Sequence, residues 1–355
     1  MATTQNKRII VLNDTTLRDG AQAPGVRFSL QDKIDIAQAL DRMGIDELEV
    51  GTPAMGDREA ADIRALRDLG LTCRLSAWCR ARQTDLKQAE QCGVDAVHIS
   101  LPVSDIHLGA LGKDRQWVLQ RLCALVPAAT AVFRQVSIGA QDATRAEPQW
   151  LATFARTVQD LGVQRLRIAD TVGIGRPSVI SERFAMLRTA ASRLPLEFHG
   201  HNDLGMATAN ALAATENGAQ AVSLTVNGLG ERAGNTPLEQ MAMALHHHPD
   251  LSCRLRSQGL LQVCRRTALA AGRPIPPDQP ITGEMAFTHE SGIHCHATLV
   301  DPQAYEPFAP QTIGRPSRRF AWGSHSGRAG IQHLLARAGI AASAKQVNRL
   351  RGLLT

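Results

Sequence analysis

Short apolar runs alternate with longer amphipathic segments along most of the chain, and this alternation constrains the fold more than any other feature. Eight such pairs follow one another at intervals of roughly thirty residues, so that together they occupy roughly 240 residues. Short apolar runs are typical of buried strands, and apolar residues at helical spacing are typical of packed helices. The eight pairs therefore predict an α/β protein with a (β/α)8 barrel, the TIM barrel.

The predicted elements can be bounded residue by residue. Ser29 is the expected N-cap of the first helix, in which Ile34, Ala37 and Leu40 have helical spacing. The predicted strands are 9–12, 47–50, 73–77, 96–101, 131–138, 166–169, 196–199 and 221–226. The helices that follow them are 29–43, 57–69, 85–92, 113–125, 148–161, 177–194, 207–217 and 237–246.

The predicted barrel occupies residues 1–250, and a smaller, mainly helical region occupies 251–355. This second region has a helix at 260–271, a proline-rich linker at 272–280 that ends it, and a turn-rich stretch before two short helices. A doubly wound open sheet is the competing fold. That fold would carry a Gly-x-Gly-x-x-Gly turn after an early strand, and the sequence has none there.

Polar residues follow the predicted carboxyl ends of many strands, which favours the barrel because a closed barrel brings all of these ends to one face. They are Arg18, Asp19, His98, Ser137, Thr171, His199, His201 and Asn227. Alternation along an extended chain places His199 and His201 on one face, with Gly200 pointing away. With Asp19 they would give one carboxylate and two imidazoles, which leaves open positions on a divalent metal, as a catalytic site requires.

Composition and charge restrict the function classes. The net charge of +6 is spread along the chain, and one Tyr with eight Phe offers little base stacking, so nucleic acid is a poor candidate partner. The excess of Arg suits a small polyanionic substrate, although solubility alone would explain it. Seven scattered cysteines, a polar N-terminus and the lack of a membrane-length apolar run predict a cytoplasmic protein with reduced thiols and no membrane partner.

Four motifs occur in order along the chain and together resemble one enzyme family. They are Asp14-Thr15-Thr16-Leu17-Arg18-Asp19-Gly20, Asp170-Thr171-Val172-Gly173, His199-Gly200-His201-Asn202-Asp203-Leu204-Gly205 and Asn227-Gly228-Leu229-Gly230-Glu231-Arg232-Ala233-Gly234-Asn235. The chain resembles the acyl-CoA-condensing TIM-barrel enzymes, namely the 2-isopropylmalate, citramalate and homocitrate synthases, which are relatives of the hydroxymethylglutaryl-CoA lyases. The segments 49–56 and 100–105 are most similar to homocitrate synthases of the nitrogen-fixation type.

The resemblance implies a reaction and its substrates. Acetyl-CoA, 2-oxoglutarate and water would give homocitrate and CoA, and the homocitrate would serve the iron–molybdenum cofactor of nitrogenase. The family also implies a homodimer in which the C-terminal region of each subunit is a lid on its partner. A divalent ion at Asp19, His199 and His201 would chelate the oxo acid, and Mg, Mn and Zn all suit these ligands.

Roles for further residues follow partly from the chemistry and partly from the resemblance. Arg18 is a fixed cation beside a metal ligand, suited to the charge that develops on the enolate and alkoxide. The resemblance implies His294 as the base that deprotonates the acetyl group and Thr171 as a ligand of the oxo-acid carboxylate. Glu231 is expected to pair with His294 or Arg18, and Asn235 to add an oxygen ligand or orient a water. The expected substrate contacts are Gln22, His98 and Ser137.

Two departures from the family pattern bear on the activity. Where relatives carry a Glu-Asp pair after the fifth strand, this chain has Gln141-Asp142, and an amide cannot accept a proton as a carboxylate does. An impaired relative that binds ligand without turnover therefore stays open as an interpretation. The loop 228–234 lacks the cysteine of the lyase branch, which favours condensation over cleavage. Two further activities also stay open, namely 2-isopropylmalate or citramalate synthesis, and cleavage by a hydroxyacyl-CoA lyase or aldolase.

Overall fold

The computed structural model describes residues 7–354 and contains a closed barrel of eight parallel strands. The twelve strands of the described residues are β1 (Arg8–Ile9), β2 (Val11–Asp14), β3 (Glu47–Glu49), β4 (Arg74–Arg80), β5 (Ala96–Pro102), β6 (Gln135–Gln141), β7 (Arg165–Asp170), β8 (Leu196–Gly200), β9 (Ala221–Leu224), β10 (Leu251–Ser252), β11 (Thr288–His289) and β12 (Arg319–Phe320). Strands β2 to β9 form the barrel in chain order, and Val11 pairs with Ala221 to close it. The predicted TIM barrel is confirmed.

Helices cover the outside of the barrel, and four of the described ones lie in the C-terminal region after residue 250. They are α1 (Leu30–Met43), α2 (Asp57–Arg67), α3 (Gln83–Cys92), α4 (Asp105–Ala110), α5 (Arg115–Val132), α6 (Pro148–Asp160), α7 (Pro177–Ala190), α8 (Ala207–Glu216), α9 (Leu238–His247), α10 (Leu260–Ala270), α11 (Gly292–Val300), α12 (Arg328–Arg337) and α13 (Ala344–Leu354). None of the described helices is long and apolar enough to cross a lipid bilayer.

Local signals set the ends of α1 as the sequence predicts. The Ser29 side chain accepts a hydrogen bond from Asp32 N, and the Asp32 side chain accepts one from the Ser29 backbone, which completes a capping box. At the other end Gly44 adopts a left-handed conformation with φ 83°, which glycine reaches without steric cost. This helix packs its apolar face, including Ile36 and Leu40, into the buried core.

The prediction of a strand at 131–138 was wrong at its start. Helix α5 continues to Val132, and Phe133 N–H still donates to Ala129 O at 2.9 Å. The apolar residues at 131 and 132 therefore complete the helix, and β6 begins at Gln135 and extends to Gln141. This shift places Ser137 near the middle of its strand, with a consequence for the site described below.

The chain divides into two compact units. The first runs to Arg256 and includes Arg266–Arg273, and the second comprises Ser257–Arg265 and the chain from Pro274. Within the second unit, β11 and β12 pair in parallel, with Thr288 opposite Arg319. Ile331 and Leu335 of α12 pack with Val347 of α13 in a small core of their own.

Candidate active site

Asp19, His199 and His201 lie close together at the carboxyl ends of two barrel strands. Asp19 follows β2 in a tight turn whose backbone N–H groups donate to Thr15 O. His199 lies in β8, and His201 follows that strand in a bridge to Asn235. All three side chains are buried, at 3%, 6% and 7% exposure, so the cluster is shielded from most of the solvent.

The spacing of these ligand atoms fits a single metal ion. His199 Nε2 lies 3.2 Å from Asp19 Oδ2 and 3.4 Å from His201 Nε2, and the ligand atoms of the three residues all lie within 4.8 Å of one another. Ligands bound at about 2.0–2.2 Å with tetrahedral or octahedral angles are themselves separated by about 3.0–3.4 Å. The donor set of one carboxylate and two imidazoles is also one that divalent ions accept.

Electrostatics keep Asp19 and His201 in the protonation states that metal ligation requires. Burial raises the pKa of Asp19, but the Arg18 guanidinium and His199 outweigh burial and hold that pKa well below its usual range. Burial and the neighbouring His199 lower the pKa of His201 to about 4. Near neutral pH the cluster therefore offers a charged carboxylate and a neutral His201 ring, both with lone pairs available to a cation.

Asn235 forms a backbone bridge with His201 and has a buried side-chain amide. Its Nδ2 donates to Leu229 O at 2.9 Å, which fixes the orientation of the amide. The buried Oδ1 has no hydrogen-bond partner among the residues that the structure describes. Gly234, with φ 93°, lies against the carbonyl of Gly228, and a Cβ there would collide with that oxygen. The glycine-rich loop is therefore closed tightly enough to hold Asn235 beside His201.

Arg18 is held between two carboxylates, one of which, Asp19, belongs to the candidate metal cluster. Its Nη1 lies 3.3 Å from Asp19 Oδ2, and its Nε donates to Glu49 Oε1 at 2.5 Å. The guanidinium carbon also lies 5.9 Å from the centre of the Trp78 ring, a cation–π distance. Of the two partners expected for Glu231, His294 and Arg18, the second is paired instead with Asp19 and Glu49. Glu231 itself is exposed in the glycine-rich loop.

His98 and Ser137 lie inside the barrel rather than at the strand ends where the sequence pattern predicts them. Each is the third residue of a seven-residue strand, and both are almost fully buried. His98 Nδ1 and Ser137 Oγ are hydrogen-bonded at 2.7 Å. Burial and the positive charge of Arg167 hold the pKa of His98 well below its usual range, so the ring is neutral. The pair forms a polar floor below the mouth of the barrel.

Gly139 makes the position of His98 possible, and Gly139→Ala tests the role of the floor. A Cβ at residue 139 would lie 2.6 Å from His98 Nε2, so the ring must move and its bond to Ser137 must lengthen. We expect a loss of about 1–3 kcal/mol in the free energy of unfolding from overpacking. We also expect a clearly higher KM for the oxo acid that the family resemblance implies, measured by steady-state kinetics. Gly109→Ala is the control, because nothing lies within 4 Å of a Cβ there.

Thr171 and Gln22 occupy different surroundings at the mouth. Thr171 Oγ1 accepts from Asp142 N at 2.8 Å, and its carbonyl accepts from Arg232 at 2.8 Å, so both polar groups help to fix the loop after β7. Gln22 ends a one-turn helix directly after Asp19, and its side chain is exposed. Gln141 is the last residue of β6, half-buried at the same end of the barrel.

His294 lies in helix α11 of the second unit, not in the loop that the sequence suggested. The turn signals Ser291-Gly292 start this helix, and the residues after them continue it to Val300. The exposed His294 ring stacks on Tyr305, with 3.9 Å between ring centroids. His289, behind it at 6.5 Å, pairs with Glu306, which in turn binds Arg318 through two hydrogen bonds. The base candidate therefore lies on an ordered scaffold.

Sequence reasoning missed a set of buried charges inside the barrel. We call it the interior ion-pair network, and its members are Glu47, Glu49, Arg165, Arg167 and Glu197. They come from β3, β7 and β8, and β3 does not pair with either of the others, so their contacts cross the inside of the barrel. Asn13 and Ser223 also donate to Glu197. TIM-barrel interiors are usually filled by branched apolar residues, so this filling is unusual.

A signal for the network was present in the sequence. Glu47-Leu48-Glu49 and Arg165-Leu166-Arg167 each carry two like charges at alternate positions of a strand, which places both charges on one face. Two acids on one strand and two arginines on another are complementary in charge, which indicates charged interior faces, although the register between strands that are not neighbours decides which residues pair.

Comparison with known proteins identifies the family. A family model described as HMGL-like matches residues 9–266. The chain belongs to the HMGL-like family. A second model, described as homocitrate synthase post-HMGL domain-like, matches residues 281–353 of this HMGL-like chain.

Individual relatives agree with this assignment. Homocitrate synthase 1 of Nostoc sp. is 44% identical over 333 residues, which are 93% of this chain and 88% of that protein. The 2-isopropylmalate synthase 2 of Caldanaerobacter subterraneus is also 44% identical, over 93% of this chain and 86% of that protein. A crystal structure of hydroxymethylglutaryl-CoA lyase from Pseudomonas aeruginosa matches with a TM-score of 0.68 and 21% identity, over 76% of this chain and 96% of that chain, which shows the fold alone. The predicted resemblance to homocitrate synthases is confirmed, and this HMGL-like chain is an enzyme.

Proposed function

We propose that this enzyme condenses acetyl-CoA with 2-oxoglutarate and water to give homocitrate and CoA. The observation that carries the proposal is the placement of Arg18. Its guanidinium is held between Glu49 and Asp19, and Asp19 belongs to a three-residue cluster that fits a divalent ion. The likeness to the Nostoc homocitrate synthase over most of both chains supports the same reaction. The homocitrate would then supply the iron–molybdenum cofactor of nitrogenase, because the segments 49–56 and 100–105 resemble homocitrate synthases of the nitrogen-fixation type.

The residues of the barrel would bind and orient the oxo acid. Asp19, His199 and His201 would hold a divalent ion, with Asn235 Oδ1 as a further oxygen. When bound, such an ion polarises a keto group and neutralises a carboxylate oxygen. Arg18 would face the negative charge that develops as the new carbon–carbon bond forms, and its two ion pairs orient it for that task before the substrate arrives.

The second unit of a partner subunit would supply the base. His294 would take a proton from the methyl group of acetyl-CoA, and its stacking on Tyr305 would restrict the ring to one plane. After condensation, water cleaves the thioester and CoA leaves. Glu231 is exposed near the mouth of the barrel and would assist proton transfer in this step, a role that the amide of Gln141 cannot fill.

The polar floor favours 2-oxoglutarate over a branched oxo acid. A distal carboxylate needs several donors, whereas a branched alkyl group needs an apolar wall. Below the mouth lie His98 and Ser137, which are hydrogen-bonded to each other at 2.7 Å. The second candidate activity is 2-isopropylmalate synthesis, because the Caldanaerobacter 2-isopropylmalate synthase is as similar in sequence to this chain as the Nostoc protein is.

Turnover across a panel of oxo acids tests the proposal. We expect CoA release from acetyl-CoA to depend on 2-oxoglutarate, with kcat/KM at least about tenfold above the values for 2-oxoisovalerate and pyruvate, and to stop with a chelator. Cys123 is exposed and would react with thiol dyes, so CoA should be followed by chromatography. A preference for 2-oxoisovalerate or pyruvate would assign isopropylmalate or citramalate synthesis instead.

The same panel separates a synthase from a lyase and from an inactive relative. Cleavage of a hydroxyacyl-CoA, without oxo-acid-dependent CoA release, would assign a lyase or aldolase. Ligand binding without any turnover would indicate an impaired relative, with Gln141 as the first residue to restore to Glu.

We further propose a homodimer in which each lid covers the barrel of the partner subunit. Helix α11, which carries His294, exposes Ile293 at 73% and Val300 at 76% in the single chain, and such apolar side chains suit an interface. Sedimentation of the intact protein should give twice the chain mass.

A cytoplasmic location would keep the seven cysteines as the free thiols that the structure shows.

A further inference from the structure

Arg167 is the branch point of the interior ion-pair network. Its Nη2 lies 2.8 Å from Glu49 Oε2, and its Nε lies 3.0 Å from Glu197 Oε1. Glu49 in turn gives its other oxygen, Oε1, to Arg18 Nε. The side chains of Arg167 and Glu49 are 3% and 0% exposed, so water competes little for these bonds. An unbroken path of ion pairs therefore joins Arg167 to the arginine beside the metal-binding cluster.

The geometry of Glu49 explains why Arg167 matters to Arg18. The carboxylate uses one oxygen for each guanidinium, and the two bonds together fix the plane and the position of the group. Without Arg167, Glu49 would be free to turn both oxygens towards Arg18 or to shift away from the interior. Arg18 is a long side chain with many rotamers, so a displaced partner allows its guanidinium to move.

We propose that Arg167 is a positioning residue, which holds the Arg18 guanidinium in its working orientation through Glu49. This rests on the role proposed above for Arg18. Arg167 acts from inside the barrel and need not touch substrate. Reacting groups displaced by about 1 Å lose on the order of a hundredfold in rate, so a small movement of Arg18 has a large kinetic effect.

Arg165 provides a matched control on the same strand. It also points into the barrel, and among the described residues its ion pairs are with Glu47, at 2.9 Å, and with Glu197, at 2.6 Å. Both arginines pair with Glu197. The second partner of Arg165 is Glu47, whereas the second partner of Arg167 is Glu49. A role limited to stabilising the interior would make the two arginines equivalent, whereas a positioning role belongs to Arg167 alone.

The kinetic experiment compares Arg167→Lys with Arg165→Lys in the full-length protein. An ammonium is a point charge and cannot hold two carboxylates with the planar fork of a guanidinium. We expect Arg167→Lys to lower kcat about tenfold to a hundredfold, on the order of the cost of a misplaced group, with KM for 2-oxoglutarate within about threefold. Arg165→Lys should lower the melting temperature similarly but leave kcat within about threefold. In an Arg18→Lys background, Arg167→Lys should add little, because both changes act through one group.

A second readout needs neither metal nor turnover. The Arg18 guanidinium lies over the Trp78 ring, so fluorine NMR of 5-fluorotryptophan protein reports its position, with Trp78→Phe assigning the signal. We expect the residue 78 resonance of metal-free protein to move in Arg18→Lys and in Arg167→Lys, and to stay in place in Arg165→Lys. Should Arg167→Lys fail to fold, Glu49→Gln breaks the same bridge and should give the same shift and loss of kcat.

The outcomes separate a positioning role from a purely structural one. Equal kinetic losses in Arg165→Lys and Arg167→Lys, additive effects with Arg18→Lys, or an unmoved residue 78 resonance would each overturn the positioning role. If the wild-type protein turned over no oxo acid, the proposed function would fail, while the fluorine comparison would still decide whether Arg167 positions Arg18.

Discussion

Asp19→Asn is expected to abolish turnover by removing the metal ion. Asp19 is the only carboxylate in the buried cluster with His199 and His201 among the described residues. Its pKa is held low, so it carries a full charge that an amide lacks. Changing groups that merely orient metal ligands costs about 10–100-fold in affinity, and a charged ligand should cost more. We therefore expect metal affinity to fall by more than about a hundredfold and turnover to fall below detection.

Calorimetric titration with Mn²⁺, Mg²⁺ and Zn²⁺ measures the first effect, and chromatographic assay of CoA measures the second. Asp105→Asn is the control, because this exposed carboxylate on α4 pairs with Arg115 and should leave both quantities at their wild-type values. Retention of tight metal binding and turnover by Asp19→Asn would exclude the cluster as the metal site.

Arg18→Ala is expected to lower kcat by about a hundredfold or more while metal binding persists. Fixed donors that face charge developing in a transition state are worth about 10²–10³ in kcat. Two buried carboxylates orient this guanidinium, so no other side chain can replace it without moving Asp19 or Glu49. Arg18→Lys should recover only part of the loss, because an ammonium lacks the fork that reaches both acids.

Steady-state kinetics and metal titration on the same samples distinguish this effect from loss of the ion. Arg115→Ala serves as the comparison, since its side chain is 38% exposed and its acidic partners, Asp105 and Glu147, stay solvated when it is removed. A kcat for Arg18→Ala within about fivefold of the wild-type value would show that the developing charge is stabilised by another group.

The barrel and the convergence of Asp19, His199 and His201 could both be predicted because they depend on local periodicity. Strand–helix alternation fixes a closed barrel, and the barrel brings its carboxyl strand ends together, so Asp19 and His201 meet although they are far apart in the chain. Alternation within one strand then places the two histidines on one side.

Depth inside the barrel could not be predicted. The apolar residues at 131 and 132 read equally well as helix or strand, and the wrong choice moved Ser137 to a strand end. His294 was missed as a helical residue because serine and glycine before it also signal turns. Glu49 and Arg167 looked like ordinary strand charges, since pairing across a barrel depends on register between strands that are not neighbours.

The ionic filling of the barrel restricts how its sequence can diverge. Losing Arg165 alone would take a buried partner from both Glu47 and Glu197, which among the described residues would keep only Arg74 and Arg167 respectively. Breaking a buried pair costs up to about 3–5 kcal/mol, a large part of a typical folding stability of about 5–15 kcal/mol. Exchanging both members for apolar residues of similar volume is close to neutral. Positions 47 and 165 should therefore co-vary across homologues. Homologous sequences that lack the charge at one of these positions should also lack it at the other.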